Sequence, residues 1–163
     1  MVDKVAGADQ PPAVVSANQR LQVHATCVEI GGVGVLIRGA PGAGKSDLAL
    51  RLIDGGARLV ADDYTDLAVV AGRLVARAPS AIAGRLEVRG LGVVEAPAVA
   101  EAPIGIVVDL VDASAVERLP DARMCAYLGI DVPLLALAAF ESSAAAKLRL
   151  AVRIAARGVP FAA

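Results

Sequence analysis

The sequence predicts a single mixed α/β domain with a partly antiparallel sheet. Three observations carry that expectation. Short aliphatic runs outnumber helical stretches along the chain. Two pairs of these runs are separated by glycine-bearing turns, the mark of hairpins. One apolar run leads through a glycine-rich loop into a helical pattern, the strand–loop–helix unit of α/β proteins. The 163 residues suit one domain, since domains usually take roughly 100–200.

The elements follow in order. Residues 1–20, rich in Ala, Pro, Gln and Asp, read as a flexible tail, which leaves 21–163 as the folded domain. Val23, Cys27, Val28 and Ile30, then Val33, Val35, Leu36 and Ile37, form two strands joined by Gly31-Gly32. That pair accepts the positive φ of a two-residue hairpin. Over 46–54, Leu48, Ala49, Leu52 and Ile53 mark one helical face, and Gly55-Gly56 stops the helix. Residues 58–61 make a short strand, and 67–70 with 74–76 flank Ala71-Gly72 as a second hairpin. Residues 86–94 hold one or two strands around Gly90 and Gly92, and 104–111 is an apolar strand ending at Asp112. A final helix starts near Ser142 or Ser143, both suitable N-caps, and closes at Gly158 before Pro160.

Composition excludes several classes. Hydrophobic residues are 56% of the chain, above the usual figure of about 45–50%, so the body is not disordered. The most apolar window, 91–111, contains Glu95, Pro97, Glu101, Pro103 and Asp109, whereas a spanning helix needs about 20 nearly unbroken apolar residues. Residues 1–20 lack the apolar run of a signal peptide. The expectation is a soluble protein with no membrane partner. Basic and acidic side chains number 16 and 17, and aromatics are 2%. No basic patch or stacking platform for nucleic acid follows from that. Cys27 and Cys125, among apolar neighbours, read as buried, reduced thiols of a cytoplasmic protein. A single histidine offers little for a zinc site.

Chemistry concentrates in Gly39-Ala40-Pro41-Gly42-Ala43-Gly44-Lys45-Ser46, a match to G-x-x-x-x-G-K-[ST]. Glycines let successive N–H groups curl around phosphate oxygens, and the helix that follows turns its positive end toward them. Lys45 can span the terminal phosphates and the Ser46 hydroxyl can ligate Mg²⁺. A chance match in a chain of this composition has odds on the order of one in a hundred, and the strand before and helix after lower them further. Nucleotide binding is the strongest inference from the residues.

Four weaker signals stay two-sided on spacing alone. Asp62-Asp63 closes a strand: one carboxylate can organise Mg²⁺ while the other accepts a proton, or both simply shape a turn. His24 is either a strand histidine or a site residue. Glu87 and Arg89, two apart on a strand, share a face and are either a surface ion pair or ligands for metal and phosphate. Lys147, Arg149, Arg153 and Arg157 make the last helix basic, which suits its dipole or a docking partner.

Taken together, "VHATCVEIGGVGVLIRGAPGAGKSDLAL", "RLIDGGARLVADD" and "LEVRGLGVVEA" resemble the catalytic domain of HPr kinase/phosphorylase. These bacterial enzymes act on a serine of HPr, the phosphocarrier of the sugar phosphotransferase system. The resemblance is continuous from about Leu21 to Glu95 and looser to Arg157. It implies a phosphate-loop fold akin to phosphoenolpyruvate carboxykinase, with ATP and Mg²⁺ as cofactors and HPr as protein partner. It also implies a homo-oligomer, typically a hexamer. Residue by residue, Gly39 to Ser46 would hold the ATP phosphates, with Lys45 at the transferring group and Ser46 on Mg²⁺. Asp62 matches the carboxylate that takes the serine proton and returns it in the reverse direction. His24 matches a histidine beside it, Asp63 is the acidic neighbour on the metal side, and Glu87 matches a further Mg²⁺ ligand. Arg118, in Glu117-Arg118-Leu119-Pro120, matches an active-site arginine.

Three departures from the family pattern stand out. The tail before Leu21 is too short for the separate N-terminal domain of longer members, which suggests the compact form. Asp47 replaces the usual glutamate after the loop serine. The family's later Pro-Gly-Arg-Asn-like segment is answered only by Ile130-Asp131-Val132-Pro133-Leu134-Leu135-Ala136, which has no glycine–arginine pair, so the phosphorylase direction is left open. The expected activity is a protein-serine kinase acting on HPr. A small-molecule kinase or ATPase and a non-catalytic nucleotide sensor are the alternatives.

Overall fold

A computed structural model describes residues 19–158. The tail over 1–18 and the Pro160 signal lie outside the described residues. The chain forms β1 (Arg20–His24), β2 (Thr26–Ile30), β3 (Val33–Arg38), α1 (Lys45–Asp54), β4 (Arg58–Ala61), β5 (Tyr64–Val70) and β6 (Arg73–Arg77). It continues as β7 (Arg85–Val88), β8 (Gly92–Glu95), β9 (Glu101–Leu110), β10 (Arg123–Tyr127), β11 (Ile130–Leu137) and α2 (Ala144–Ala156). No helix among the described residues is long and apolar enough to cross a membrane.

Nine strands form one mixed sheet: seven follow the order β1-β5-β6-β9-β3-β2-β4, β11 branches from β9 and carries β10, and β7 and β8 form a separate hairpin. The predicted hairpins are present, β2 with β3 and β5 with β6. Gly31 and Gly32 both take positive φ, at 57° and 87°. Two departures from the sequence reading matter. The run from Val23 to Ile30 is not one strand: β1 pairs with β5, whereas β2 pairs with β3 and β4. The break between them swings His24 away from the strand that carries the loop. The sequence reading also lacks β10 and β11, an antiparallel hairpin through Leu128-Gly129.

The ten-residue β9 is the branch point. Its first part pairs antiparallel with β6, its later part pairs parallel with β11, and its other edge pairs parallel with β3. Both helices cover one sheet face, burying Leu48, Ala49, Leu52, Leu148, Ala151 and Val152 against Val35, Ile37, Ile106 and Val108. On the other face the sheet curls on itself around Cys27, Leu36, Val60, Leu67, Leu74 and Val107. Burial pushes the Cys27 thiol pKa upward, so it behaves as a small apolar group. Cys125 departs from the sequence reading: it is only half-buried, because β10 lies at the sheet edge.

Helix α1 ends as its glycines predict. Gly56 takes φ 105°, its N–H donates to Ile53 O, and the Ala57 N–H donates to Leu52 O, the Schellman pattern. Arg149 of α2 donates to the carbonyls of Arg51 and Leu52, so part of the basic helix face caps α1. Ser143 precedes α2 as expected but makes no side-chain cap. Leu48 is fully buried between α1 and the sheet. Leu48→Ala is expected to cost about 3 kcal/mol, the middle of the range for buried leucines. That corresponds to a melting temperature lower by about 10 °C for a domain of this size, read by circular dichroism. A shift under about 2 °C would mean that α1 contributes little to the cooperative core.

Candidate functional site

Residues 39–44 carry the chain from the carboxyl end of β3 into α1. The turn closes where the Ala43 N–H donates to Ala40 O at 3.0 Å, and the Gly44 carbonyl accepts the Leu48 N–H at 2.9 Å. Gly44 sits at φ 99°, in the left-handed region that disfavours a side chain. A Cβ there would also lie 2.9 Å from Ala139 Cβ and 3.0 Å from the Phe140 ring. Gly44→Ala is expected to destabilise the chain by about 1–2 kcal/mol, measured as a lower urea midpoint. An unchanged midpoint would show that segment 138–141 yields freely to the loop.

Lys45 is 8% exposed, its stem inside and its ammonium donating to Gly39 O at 2.7 Å and Ala40 O at 3.2 Å. The loop is anchored below by Arg38, the last residue of β3. Its guanidinium forks onto both Asp109 carboxylate oxygens at 2.7 and 2.8 Å and donates to the Tyr127 hydroxyl at 2.9 Å. Asp109 and Tyr127 raise the pKa of this guanidinium still further. Sequence reasoning missed Arg38, although a cation directly before the loop was a signal.

At the end of β4 the two aspartates have different surroundings. Asp62 is buried, 7% exposed. Its Oδ1 accepts the Ser46 hydroxyl at 2.7 Å and the Thr26 hydroxyl at 3.1 Å, and its Oδ2 accepts the Glu87 N–H at 3.2 Å. Asp63 has φ 66°, a left-handed turn that aspartate tolerates better than most residues. Its side chain is 58% exposed, with Oδ1 2.6 Å from His24 Nε2. Thr26 links the pair, since its hydroxyl donates to Asp62 and accepts the Asp63 N–H at 3.2 Å. Thr26 was also missed; a lone hydroxyl inside an apolar strand run was the available hint. His24 packs beside Tyr64, ring centroids 5.2 Å apart.

A cleft of about 600 Å³ gathers these groups, lined by His24, Asp63, Glu87 and Arg89 opposite Pro41, Gly42, Gly44, Lys45 and Ser46. Glu87 and Arg89 reach it from the β7–β8 hairpin, with Leu86 and Val88 facing inward; Arg89 follows the strand rather than belonging to it. Asp62 lies beneath the floor, reached through Ser46. Arg118 is not brought here. It sits exposed in a bend after the 3-10 turn Ala113–Ala115 and makes no side-chain hydrogen bond among the described residues. The β9–β10 connection, not any feature of Glu117–Pro120, decides where it falls.

Fold and site define a class: a mixed α/β domain in which a glycine loop faces a carboxylate pair across an open cleft. The chain belongs to the family of the HPr serine kinase C-terminal domain, which matches residues 16–153. It is 46% identical over 76 residues to a Clostridium tetani HPr kinase/phosphorylase and 47% identical over 77 residues to that of Clostridium acetobutylicum. Each alignment takes in 47% of this chain and 25% of the relative, so the match spans about a quarter of the length of these proteins. The structure of the HPr(Ser) kinase/phosphatase from Coxiella burnetii superposes with a TM-score of 0.76 at 28% identity, covering 85% of this chain and 97% of that one.

Proposed function

We propose that the chain is an ATP- and Mg²⁺-dependent kinase that phosphorylates a serine of HPr, on a phosphate-loop fold of the phosphoenolpyruvate-carboxykinase kind. Family membership and the names of its relatives support the substrate. One observation supports the chemistry most directly: Asp63 stands open in the cleft facing the glycine loop, with His24 on its carboxylate.

In this reading the loop N–H groups and Lys45 hold the ATP phosphates and offset charge on the transferring group. The HPr serine oxygen bonds to the γ-phosphorus as the bond to the bridging oxygen breaks. ADP leaves, and the serine proton passes to a carboxylate. The geometry favours Asp63 for that step rather than Asp62, to which the family resemblance assigned it. Asp62 already accepts three hydrogen bonds and is shut off from the cleft, so an incoming hydroxyl cannot reach it. His24 orients the Asp63 carboxylate.

No three His, Cys, Asp or Glu side chains gather as a metal site among the described residues. Mg²⁺ takes only one or two protein carboxylates together with substrate phosphates. Ser46 and Glu87, which line the cleft, are the residues that would hold it, with Asp62 orienting the Ser46 hydroxyl from behind, and the ion would neutralise phosphate charge. In this reading Asp63, which the resemblance puts on the metal side, serves as the base beside His24 instead.

The reverse direction, in which inorganic phosphate attacks phosphoserine and releases pyrophosphate, would use the same groups with Asp63 as proton donor. Assembly into a homo-oligomer belongs to the same proposal, and the exposed Leu91, Leu119 and Met124 side chains are compatible with it. The test mixes the chain, Mg·ATP and HPr and follows HPr by mass spectrometry. One added phosphate on a serine, abolished by chelating Mg²⁺, is expected. Unmodified HPr with ATP still bound would overturn the substrate and favour a small-molecule kinase or a sensor.

A further inference from the structure

Arg38 and Asp109 are register partners on the parallel strands β3 and β9, and the glycine loop begins at the very next residue. Their two parallel bonds, 2.7 and 2.8 Å, make the planar fork that a lysine ammonium cannot reproduce. The remaining guanidinium nitrogen, Nη1, crosses to β10. There it donates to the Tyr127 hydroxyl at 2.9 Å and to the Cys125 sulfur at 3.3 Å. One side chain thus ties β3 to β9 and also to β10, a strand that otherwise reaches β9 only through β11. Only 29% of the Arg38 side chain is exposed, so water competes weakly for its donors.

What this brace holds is the root of the loop. A Cβ on Gly39 would lie 3.0 Å from Ala43 Cβ and 3.2 Å from Leu110 Cβ. Residue 39 is therefore wedged between the loop's own turn and the residue that follows Asp109. The Gly39 carbonyl in turn accepts the Lys45 ammonium at 2.7 Å. The path of contacts is short. The fork fixes the end of β3 against β9, that seats Gly39 on Leu110, and the Gly39 carbonyl sets the place of the ammonium. A shift of about 1 Å at a reacting group can cost about a hundredfold in rate. Arg38 itself does not line the cleft, and the chemistry above makes no use of it.

Resting on the kinase reading above, we infer that Arg38 is a positioning residue for Lys45, held to that task by Asp109 and Tyr127. It acts through the loop and touches neither nucleotide nor HPr. Because Tyr127 belongs to the β10–β11 hairpin, one hydrogen bond passes the placement of that hairpin on to the phosphate loop.

The test measures transfer from Mg·ATP to HPr for the unmodified chain, Arg38→Lys and Tyr127→Phe, each well below its melting temperature. Arg38→Lys keeps the charge and loses the fork. Its kcat is expected to fall about tenfold or more while KM for ATP stays within about threefold, the mark of a group misplaced in the transition state. Tyr127→Phe keeps the ring and loses one hydroxyl, so its kcat should fall about threefold, the scale of one hydrogen bond. Hydrogen exchange of the ligand-free chain gives a readout independent of turnover. The Ala43 N–H, which closes the loop onto Ala40 O, should exchange at least about fivefold faster in both variants, while amides in the middle of β3 keep their rates. A brace that serves stability alone would speed both sets of amides or neither, and either result overturns the inference. So does an unchanged kcat, or a loss confined to KM. If Arg38→Lys does not fold, Tyr127→Phe decides by the same two readouts. An unmodified chain that leaves HPr untouched would overturn the kinase reading, and the Ala43 exchange rates would still decide whether Arg38 sets the loop.

Discussion

Asp63→Asn is expected to lower HPr phosphorylation by about a thousandfold, within the span attributed to a positioned general base, while ATP binding stays within about threefold. The substitution is chosen for the backbone as much as for the charge. Asp63 sits at φ 66°, where asparagine is among the few residues tolerated as readily as aspartate. The variant also keeps an oxygen for the His24 contact of 2.6 Å. What it loses is the capacity to take a proton from the attacking hydroxyl. Because the side chain is more than half exposed, the melting temperature should hardly move. Single-turnover transfer from bound ATP to HPr separates the chemical step from binding. A variant retaining a third of the wild-type rate would show that another group takes the proton.

Asp62→Ala is expected to act on stability. Removing this carboxylate leaves the Ser46 hydroxyl, the Thr26 hydroxyl and the Glu87 N–H without their acceptor. Buried donors left unpaired cost about 1–3 kcal/mol each. Water can reach Ser46 from the cleft, so a loss of about 3 kcal/mol is the reasonable expectation, with a fall of about 10 °C in melting temperature. Asp62→Asn should fall between this variant and wild type, since its amide keeps one acceptor but sets an NH₂ against one of the three donors. Thermal melts of both variants beside Asp63→Asn make the contrast direct. Asp62 variants that melt like wild type and fail only in turnover would return the proton-accepting role to Asp62.

The two adjacent aspartates show where sequence reading reaches its limit. Asp62-Asp63 was legible as a candidate pair because carboxylates closing a strand near a phosphate loop are chemically suggestive. Their division of labour was not, because it depends on Thr26 and His24, 36 and 39 residues away in the chain. Thr26 carried almost no signal, being one hydroxyl in an apolar run. Its importance comes from the sheet, which sets β2 beside β4 so that the hydroxyl meets both aspartates. Arg118 shows the converse: a local match to a family motif implied a site role, yet the long β9–β10 connection carries the residue to an exposed bend.

By itself the sequence determined what local chemistry determines. Glycine pairs marked the β2–β3 hairpin and the end of α1, because few other residues accept positive φ cheaply. Helical and alternating periodicity located the helix after the loop and most strands, and the loop pattern singled out Lys45 and Ser46. Only the tertiary structure decided the rest. It broke the first predicted strand at Ala25 so that β1 could pair with β5 and present His24 to Asp63. It added the β10–β11 hairpin, which brings Tyr127 to Arg38 below the loop. It buried one aspartate and exposed its neighbour. The physical reason is the same in each case. Backbone preference is a property of a few consecutive residues, whereas burial and hydrogen-bond partnership are settled by whichever distant strand the sheet lays alongside.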